Sequence, residues 1–332
     1  MTSRDVRATI TAGGTKLSPL SVDIDFNMAR SASTFRAQLA MNDPNSSPEF
    51  WANTAPIEVD IEILGQHVFT GRCDTVGFDY HSGTISIDGR DLSSLLHEKR
   101  IENTKAFINQ PRQSVVQELA GKVGLGFVGG GGGSQAGKEW KQSDFAAIEF
   151  DQSYWSIIEK FAKLDGVSAF VLDRSLYYQK DGTGSAGSFN FRPSTASQHA
   201  QGNFTNITFR RNMSLAKTLK VSVKGWHSKK MKKSEAEAMK PGQGGEMEIR
   251  TGRLNNATDE EAQKIAQNTL DDWADKEFGC SVTIPGNPSI RTAAKFSVSG
   301  TALDGSYTIE GIHHSLSTNS PYVTVMHGRR GR

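Results

Sequence analysis

Three groups of residues in this 332-residue sequence have the types and spacing that could do chemistry. Gly132-Gly133-Ser134-Gln135-Ala136-Gly137-Lys138-Glu139 comes within one residue of a phosphate-binding loop. Such a loop needs Ser or Thr after its lysine to ligate magnesium, and a βαβ unit around it. Glu139 sets a carboxylate there instead, and no βαβ pattern surrounds it. The segment therefore reads as a flexible loop carrying the glycine tract Gly129 to Gly133, and no nucleotide or other cofactor is expected.

The second group is His313-His314 with His327. Adjacent strand residues point to opposite sheet faces, so the pair is poorly placed to share one ion, and no Cys or carboxylate stands at a ligand spacing nearby. One histidine should be exposed and the other packed, with no metal site. The third group comprises the acidic pairs Glu260-Glu261 and Asp271-Asp272 and the lysines from Lys229 to Lys233. Carboxylates in a first helical turn favour the macrodipole, and four lysines without interleaved aromatics read as a solvated loop. There is no Gly-x-Ser-x-Gly elbow and no metalloprotease helix, so no catalytic residue is assigned. Two competing readings stand beside a non-enzymatic one. One is a cell-wall hydrolase whose carboxylates meet only in space. The other is a carbohydrate-binding adhesin using Trp51, Trp140 or Trp226 as a stacking platform.

The elements that must position these residues are mostly strands. Ile57, Val59, Ile61 and Ile63 alternate with Glu58, Asp60 and Glu62, the period of two of a sheet with one buried face. Val68-Phe69, Val76-Gly77-Phe78 and then Ile85 and Ile87 continue an antiparallel meander. Asp91 can offer a side-chain oxygen to the free amides of a short helix carrying Leu92, Leu95 and Leu96. Between about 100 and 200 the period becomes helical at Val115, Val116, Leu119 and Ala120, and again at Trp155, Ile158, Phe161 and Ala162. Asp173-Arg174 then predicts a hairpin. Leu219, Val221 and Val223 mark a second half-buried sheet. A polar segment interrupts it, followed by a helix opened by the capping-box spacing of Thr258 and Glu261. Strands resume over Ser281–Ile284, Phe296–Val298, Tyr307–Ile309 and Tyr322–Val325.

Composition narrows the classes further. Basic and acidic residues number 38 and 36, too balanced for a nucleic-acid or anionic-lipid footprint. Cys73 and Cys280 are the only cysteines and suit neither a disulfide framework nor a zinc knuckle; both should be buried thiols. The opening residues lack the apolar run of a secretory signal, and no stretch is long and apolar enough to cross a bilayer as a helix. Folding in a cytoplasm with no stable membrane association is the expectation.

The most specific signal is Phe69-x-Gly71-x-x-Asp74-x-Val76, followed by Gly83-x-Ile85-x-Ile87-x-Gly89-Arg90-Asp91-Leu92-Ser93-Ser94-Leu95-Leu96. It resembles the phage late control D and baseplate-hub family, and is similar to the hub part of type VI secretion spike proteins. Trp155 to Ala162 with Gly166 and Leu176-Tyr177-Tyr178, then Val221 to Trp226, then Gly305 to Ile309 with His314-Ser315-Leu316 agree in the expected order.

The resemblance implies an α+β, mainly β chain with two similar antiparallel β-barrel domains and inserted α/β subdomains. Residues 1–98 would form the first tube-like barrel and 99–203 an α+β insertion. Residues 204–228 with 279–332 would form the second barrel, and 229–278 a helical insertion. It further implies a homotrimer in the virion tail baseplate, made in the host cytoplasm. Its partners would be the tail tube protein, the central spike protein and other baseplate proteins, with DNA in transient passage only. In that setting Gly89 would permit the strand-to-helix corner, Arg90 would pair across a domain or subunit boundary, and Asp91 would cap. Leu92, Leu95 and Leu96 would close the barrel end.

Overall fold

The computed structural model describes residues 8–27, 31–43, 45–102, 107, 109–130, 148–149, 151–180, 188–192, 204–227, 231–251, 254–255, 257–290 and 295–330. The phosphate-loop-like segment, Trp140, Lys229 and Lys230 lie outside these residues, as does the glycine tract beyond Gly130.

The N-terminal third is a meander of seven strands: β1 (Ala8–Ala12), β2 (Thr15–Leu17), β3 (Pro19–Asn27), β4 (Thr34–Ala40), β5 (Glu58–Ile63), β6 (Gln66–Asp79) and β7 (Thr84–Asp91). A one-turn helix, α1 (Pro48–Ala52), stands between β4 and β5, its first turn capped by the Ser47 hydroxyl. Alternation sets the faces as anticipated: Val59, Ile61, Ile63, Ile85 and Ile87 are fully buried. Each such side chain contributes about 1.5–3 kcal/mol relative to exposure.

An α/β body follows, with α2 (Ser93–Glu98), α3 (Arg112–Lys122), β8 (Gly126–Gly129), α4 (Tyr154–Asp165), β9 (Ser168–Leu172) and β10 (Ser175–Gln179). Its three strands order β8-β10-β9, and β9 and β10 form the hairpin around Asp173-Arg174. The chain then returns to the large sheet through β11 (Ser188–Phe191) and β12 (Asn206–Arg211).

The segment read as strand, polar linker and helix differs from expectation. Strand β13 (Thr218–His227) lies outside the large sheet and centres a four-stranded one with β14 (Lys232–Lys240), β15 (Glu246–Arg250) and β16 (Leu254–Asn255). This sheet is covered by α5 (Asp259–Ala274), whose capping box is present as read. Residues 229–278 are thus not a helical insertion. The strand went unread because its inward residues, Ser234, Ala236 and Ala238, are small and weakly apolar.

Strands β17 (Phe278–Pro285), β18 (Lys295–Val298), β19 (Gly305–Ser317) and β20 (Ser320–Arg330) complete the large sheet of thirteen strands. The expectation of two similar antiparallel β-barrel domains is met only in part: the described residues form large, mainly antiparallel sheets, and among them no sheet closes. The main path runs β12-β17-β20-β19-β3-β4-β7-β6-β5-β1-β2. Seven residue pairs, Gly311↔Asn27 to Ser317↔Ser21, join β19 to β3 antiparallel. Edges that would have to curl round and close each half on itself instead satisfy one another, and a single core runs through both halves.

Within this open sheet the wiring is duplicated. In chain order β3, β4, β5, β6 and β7 pair as β3-β4-β7-β6-β5. Strands β12, β17, β18, β19 and β20 pair as β12-β17-β20-β19-β18, with the β13–α5 body inserted between the first two. The long hairpins agree in detail. β6 and β7 slip register between Cys73 and Thr75, and β19 and β20 slip between Ile309 and Gly311. Matching the two bulges sets Gly89 on Gly328 and Arg90 on Arg329. It also sets Phe35 on Cys280 through the next strand pair, and Ile24 on Phe209 through the one after that.

Candidate assembly surface

The face of the large sheet turned from its core carries a row of charged and polar side chains across the strands joining the two halves. Asp23 and Asp25 on β3, Arg36 on β4, Asp88 and Arg90 on β7, Asp74 on β6 and His313 on β19 line a groove of about 510 Å3. Period-two alternation puts them there, since Val22, Ile24, Phe35, Ile87 and Ile312 between them are buried.

Each cation in the groove is clamped. Arg90 Nε and Nη2 donate to Asp74 Oδ2 and Oδ1 at 2.6 and 3.1 Å, a two-pronged pair onto the bulge residue. Arg36 Nε donates to Asp88 Oδ1 at 2.5 Å. His313 Nδ1 lies 2.8 Å from Asp25 Oδ1, and its Nε2 3.9 Å from Asp23 Oδ1. The hydrogen bond from His313 holds the Asp25 carboxyl below its ordinary range, and the same bond raises the imidazole pKa. On the neighbouring strand, burial lowers His327, and the charge of His313 adds to that. The duplicate half repeats the clamp: Arg329 Nε lies 3.3 Å from Glu310 Oε1, which is again the bulge residue.

The residues singled out by the sequence have definite places. Gly89 is not a corner with unusual torsion. A methyl group there would land on the Arg72 carbonyl oxygen, with the Phe35 ring 2.5 Å away, so glycine is required by close backbone approach. Gly71 is held in the same way against the Arg90 carbonyl. Arg90 pairs inside the chain with Asp74 rather than across a domain boundary. Asp91 is buried and ties two segments, accepting from Ser93 N at 3.0 Å and from Ser33 N at 2.8 Å. Burial raises its pKa, and the hydrogen bonds from Ser93 and Ser33 oppose the rise. The helix cap position itself falls on Leu92, which has no side-chain cap bond. Leu92 and Leu96 are buried, with Leu95 against them, in the α/β body's core beside Trp155 and Phe161, and so do not close the large sheet.

Of the adjacent histidines, His313 is one-third exposed, whereas His314 is fully buried, contacting Ile290 O, Tyr322 Oη and Thr324 Oγ1. Among the described residues no cluster of three or more metal-ligating side chains occurs, and no helix is long and apolar enough to cross a membrane. Trp51 is buried and Trp226 is 42% exposed. The row of paired charges was missed by sequence reasoning, because its members come from strands nearly 300 residues apart. Their only sequence signal is alternation.

No family model matches the chain, and no curated protein matches it. Solved structures do. The tail protein from Neisseria meningitidis MC58 aligns with a TM-score of 0.75 at 15% identity, over 98% of this chain and 96% of that one. The chain has the fold of a phage tail protein. The 43 kDa tail protein of prophage MuSo2 from Shewanella oneidensis shares this tail fold with a TM-score of 0.73, 16% identity and coverage of 98% and 97%. The E. coli c3393 protein, a type VI secretion component described as similar to the T4 tail proteins gp27 and gp5, aligns with a TM-score of 0.61. Identity there is 8%, with 97% of this chain and 77% of that one covered.

Proposed function

We propose that this chain is a structural baseplate hub subunit: a homotrimeric adaptor that joins a hexameric tail tube to a trimeric central spike in a phage tail or related injection machine. The observation that carries the reading is the duplicated five-strand wiring within one polypeptide. Two like modules per chain give three copies six nearly equivalent tube-like segments, while the α/β body and the β13–α5 body occur once per chain and keep threefold symmetry for the spike. The tail-protein fold of the solved relatives supports the same role.

The clamped charges of the groove support a binding part rather than a catalytic one. Its carboxylates are held by Arg36, Arg90 and His313, and Asp25 is shifted down, away from the proton-donating range a general acid needs. In this role the tube, spike and other baseplate proteins are the partners, and the mature location is the virion tail.

Sedimentation equilibrium of the purified chain, alone and with a tube and a spike protein from the same particle, tests the proposal. Three-chain mass and capture of both partners are the expected result. A chain that stays single at tens of micromolar and captures neither would overturn it.

A further inference from the structure

The joint between β3 and β19 is filled, and its counterparts at the two ends of the duplicated array are not. By the bulge alignment, β12 stands where β3 stands, and the second half of β6 stands where the second half of β19 stands. Among the described residues β12 pairs on one side only, with β17, and β6 beyond Cys73 pairs only with β7.

We propose that these two edges meet between copies of the chain: β12 of one copy pairs antiparallel with Asp74–Asp79 of the next, in the register of the internal joint. This deepens the hub reading and rests on it. The internal pairs His314↔Ile24 and Ser315↔Asp23 translate into Phe78↔Phe209 and Asp79↔Thr208, and His313↔Asp25 into Gly77↔Arg210.

Three observations select a second copy as the occupant. The first is burial. On the core side of the filled joint Phe26, Ile24 and Val22 face Ile312, His314 and Leu316, all buried. Of the corresponding side chains at the open edges, Phe78 is 36% and Tyr80 76% exposed, Val76, Ile207 and Phe209 are half-buried, and Arg211, in the place of Phe26, is exposed. The second is polar chemistry. Ser315 Oγ donates to Asp23 Oδ1 at 2.6 Å across the internal joint. The translated pair, Asp79 with Thr208, keeps one hydroxyl and one carboxylate with the strands exchanged. Arg210 faces a glycine, which leaves it room to lie towards Asp79. The third is geometry. A head-to-tail contact repeating an internal one advances each copy by twice the rotation that relates its two modules, so three copies close into a ring and not a filament when the module rotation is about a sixth of the circle. The Phe78 hairpin end is also held ready, because Asp79 accepts from His81 N, Ser82 N and Ser82 Oγ and fixes the turn.

Paired cysteines read the register. The double variant Phe78→Cys with Phe209→Cys, oxidised mildly, should give two- and three-chain products on a non-reducing gel. Phe78→Cys with Arg210→Cys, slipped by one residue onto the opposite sheet face, should give at least about tenfold less. A three-chain mass with equal linking of both pairs, or with linking of the slipped pair alone, overturns this interface and leaves the trimeric hub standing. A single-chain mass without linking overturns both. Hydrogen exchange of the unmodified chain serves as the variant-free check. Amides of Ile207–Arg211 should gain protection as concentration rises, and protection independent of concentration in a trimer would refute the pairing.

Discussion

Arg90 and Arg329 occupy the same place in the two halves of the large sheet. Each follows a glycine that a neighbouring group crowds, and each reaches to the carboxylate of the bulge residue on the paired strand, Asp74 or Glu310. The bulge leaves one residue unpaired in the ladder, and the arginine fastens it.

The glycine and the arginine should differ in cost. A methyl at Gly89 meets backbone, and one at Gly328 lies 2.6 Å from the Phe296 ring. Gly89→Ala and Gly328→Ala should each cost about 1–3 kcal/mol through overpacking. Arg90, whose side chain is 40% exposed, should cost about 1 kcal/mol or less as Ala, because solvent screens the pair. Urea unfolding of the three variants checks the order, and a costlier Arg90→Ala would show that the ion pair, not close approach, holds the bulge.

The α/β body is organised round a buried pair. Arg112 Nη2 lies 3.1 Å from Asp165 Oδ1 with both side chains almost wholly buried, and Tyr178 Oη donates to Asp165 Oδ2 at 2.6 Å. Removing one partner strands the other charge, so Arg112→Ala should cost about 3–5 kcal/mol, while replacing both with Met and Leu should cost far less. Exchange protection of α4 is the readout. Comparable losses in the single and double variants would contradict this account.

The β3–β19 joint should respond to pH through His313. Its folded pKa is raised by the bond to Asp25, so its contribution is complete below the ordinary value of 6.5 and is lost as pH rises through the folded value. Asp25 has the opposite sign. Its pKa is depressed, so its contribution is present above the ordinary 3.8 and is lost as pH falls through the folded value. His327, lowered by burial, opposes His313, since protonating it disfavours the fold. Stability followed from pH 6 to 9 should fall in the native chain and flatten in His313→Gln. An NMR titration should show the imidazole pKa dropping in Asp25→Asn, and an unchanged value would show the bond to be idle.

The cysteines should be inert in the folded chain. Burial pushes Cys73 up to about 11 and Cys280 up to about 12, leaving almost no thiolate at neutral pH. A colorimetric thiol reagent should find no fast-reacting group until denaturant is added, whereupon both should react. Rapid native labelling of Cys280 would mean that the β17 region opens readily.

Much of the fold was written in local pattern. Alternation placed the strands around Val59, Ile87, Val221 and Ile309, and helical spacing placed α3 and α4. Thr258 and Glu261 announced the start of α5. These signals are legible because each depends on neighbours a few residues away. Pairing is not of that kind. That Asp25 meets His313, that β13 leaves the large sheet to found its own, and that Arg90 turns to Asp74 are outcomes of which edges find one another across the whole chain. Alternation tells a strand which face to bury and leaves its partner open. The duplication is hidden for the same reason: beyond the glycine, the arginine and the bulge carboxylate, equivalent positions can share backbone pairing without chemistry, so that Arg36 with Asp88 in one half becomes Ser281 with His327 in the other.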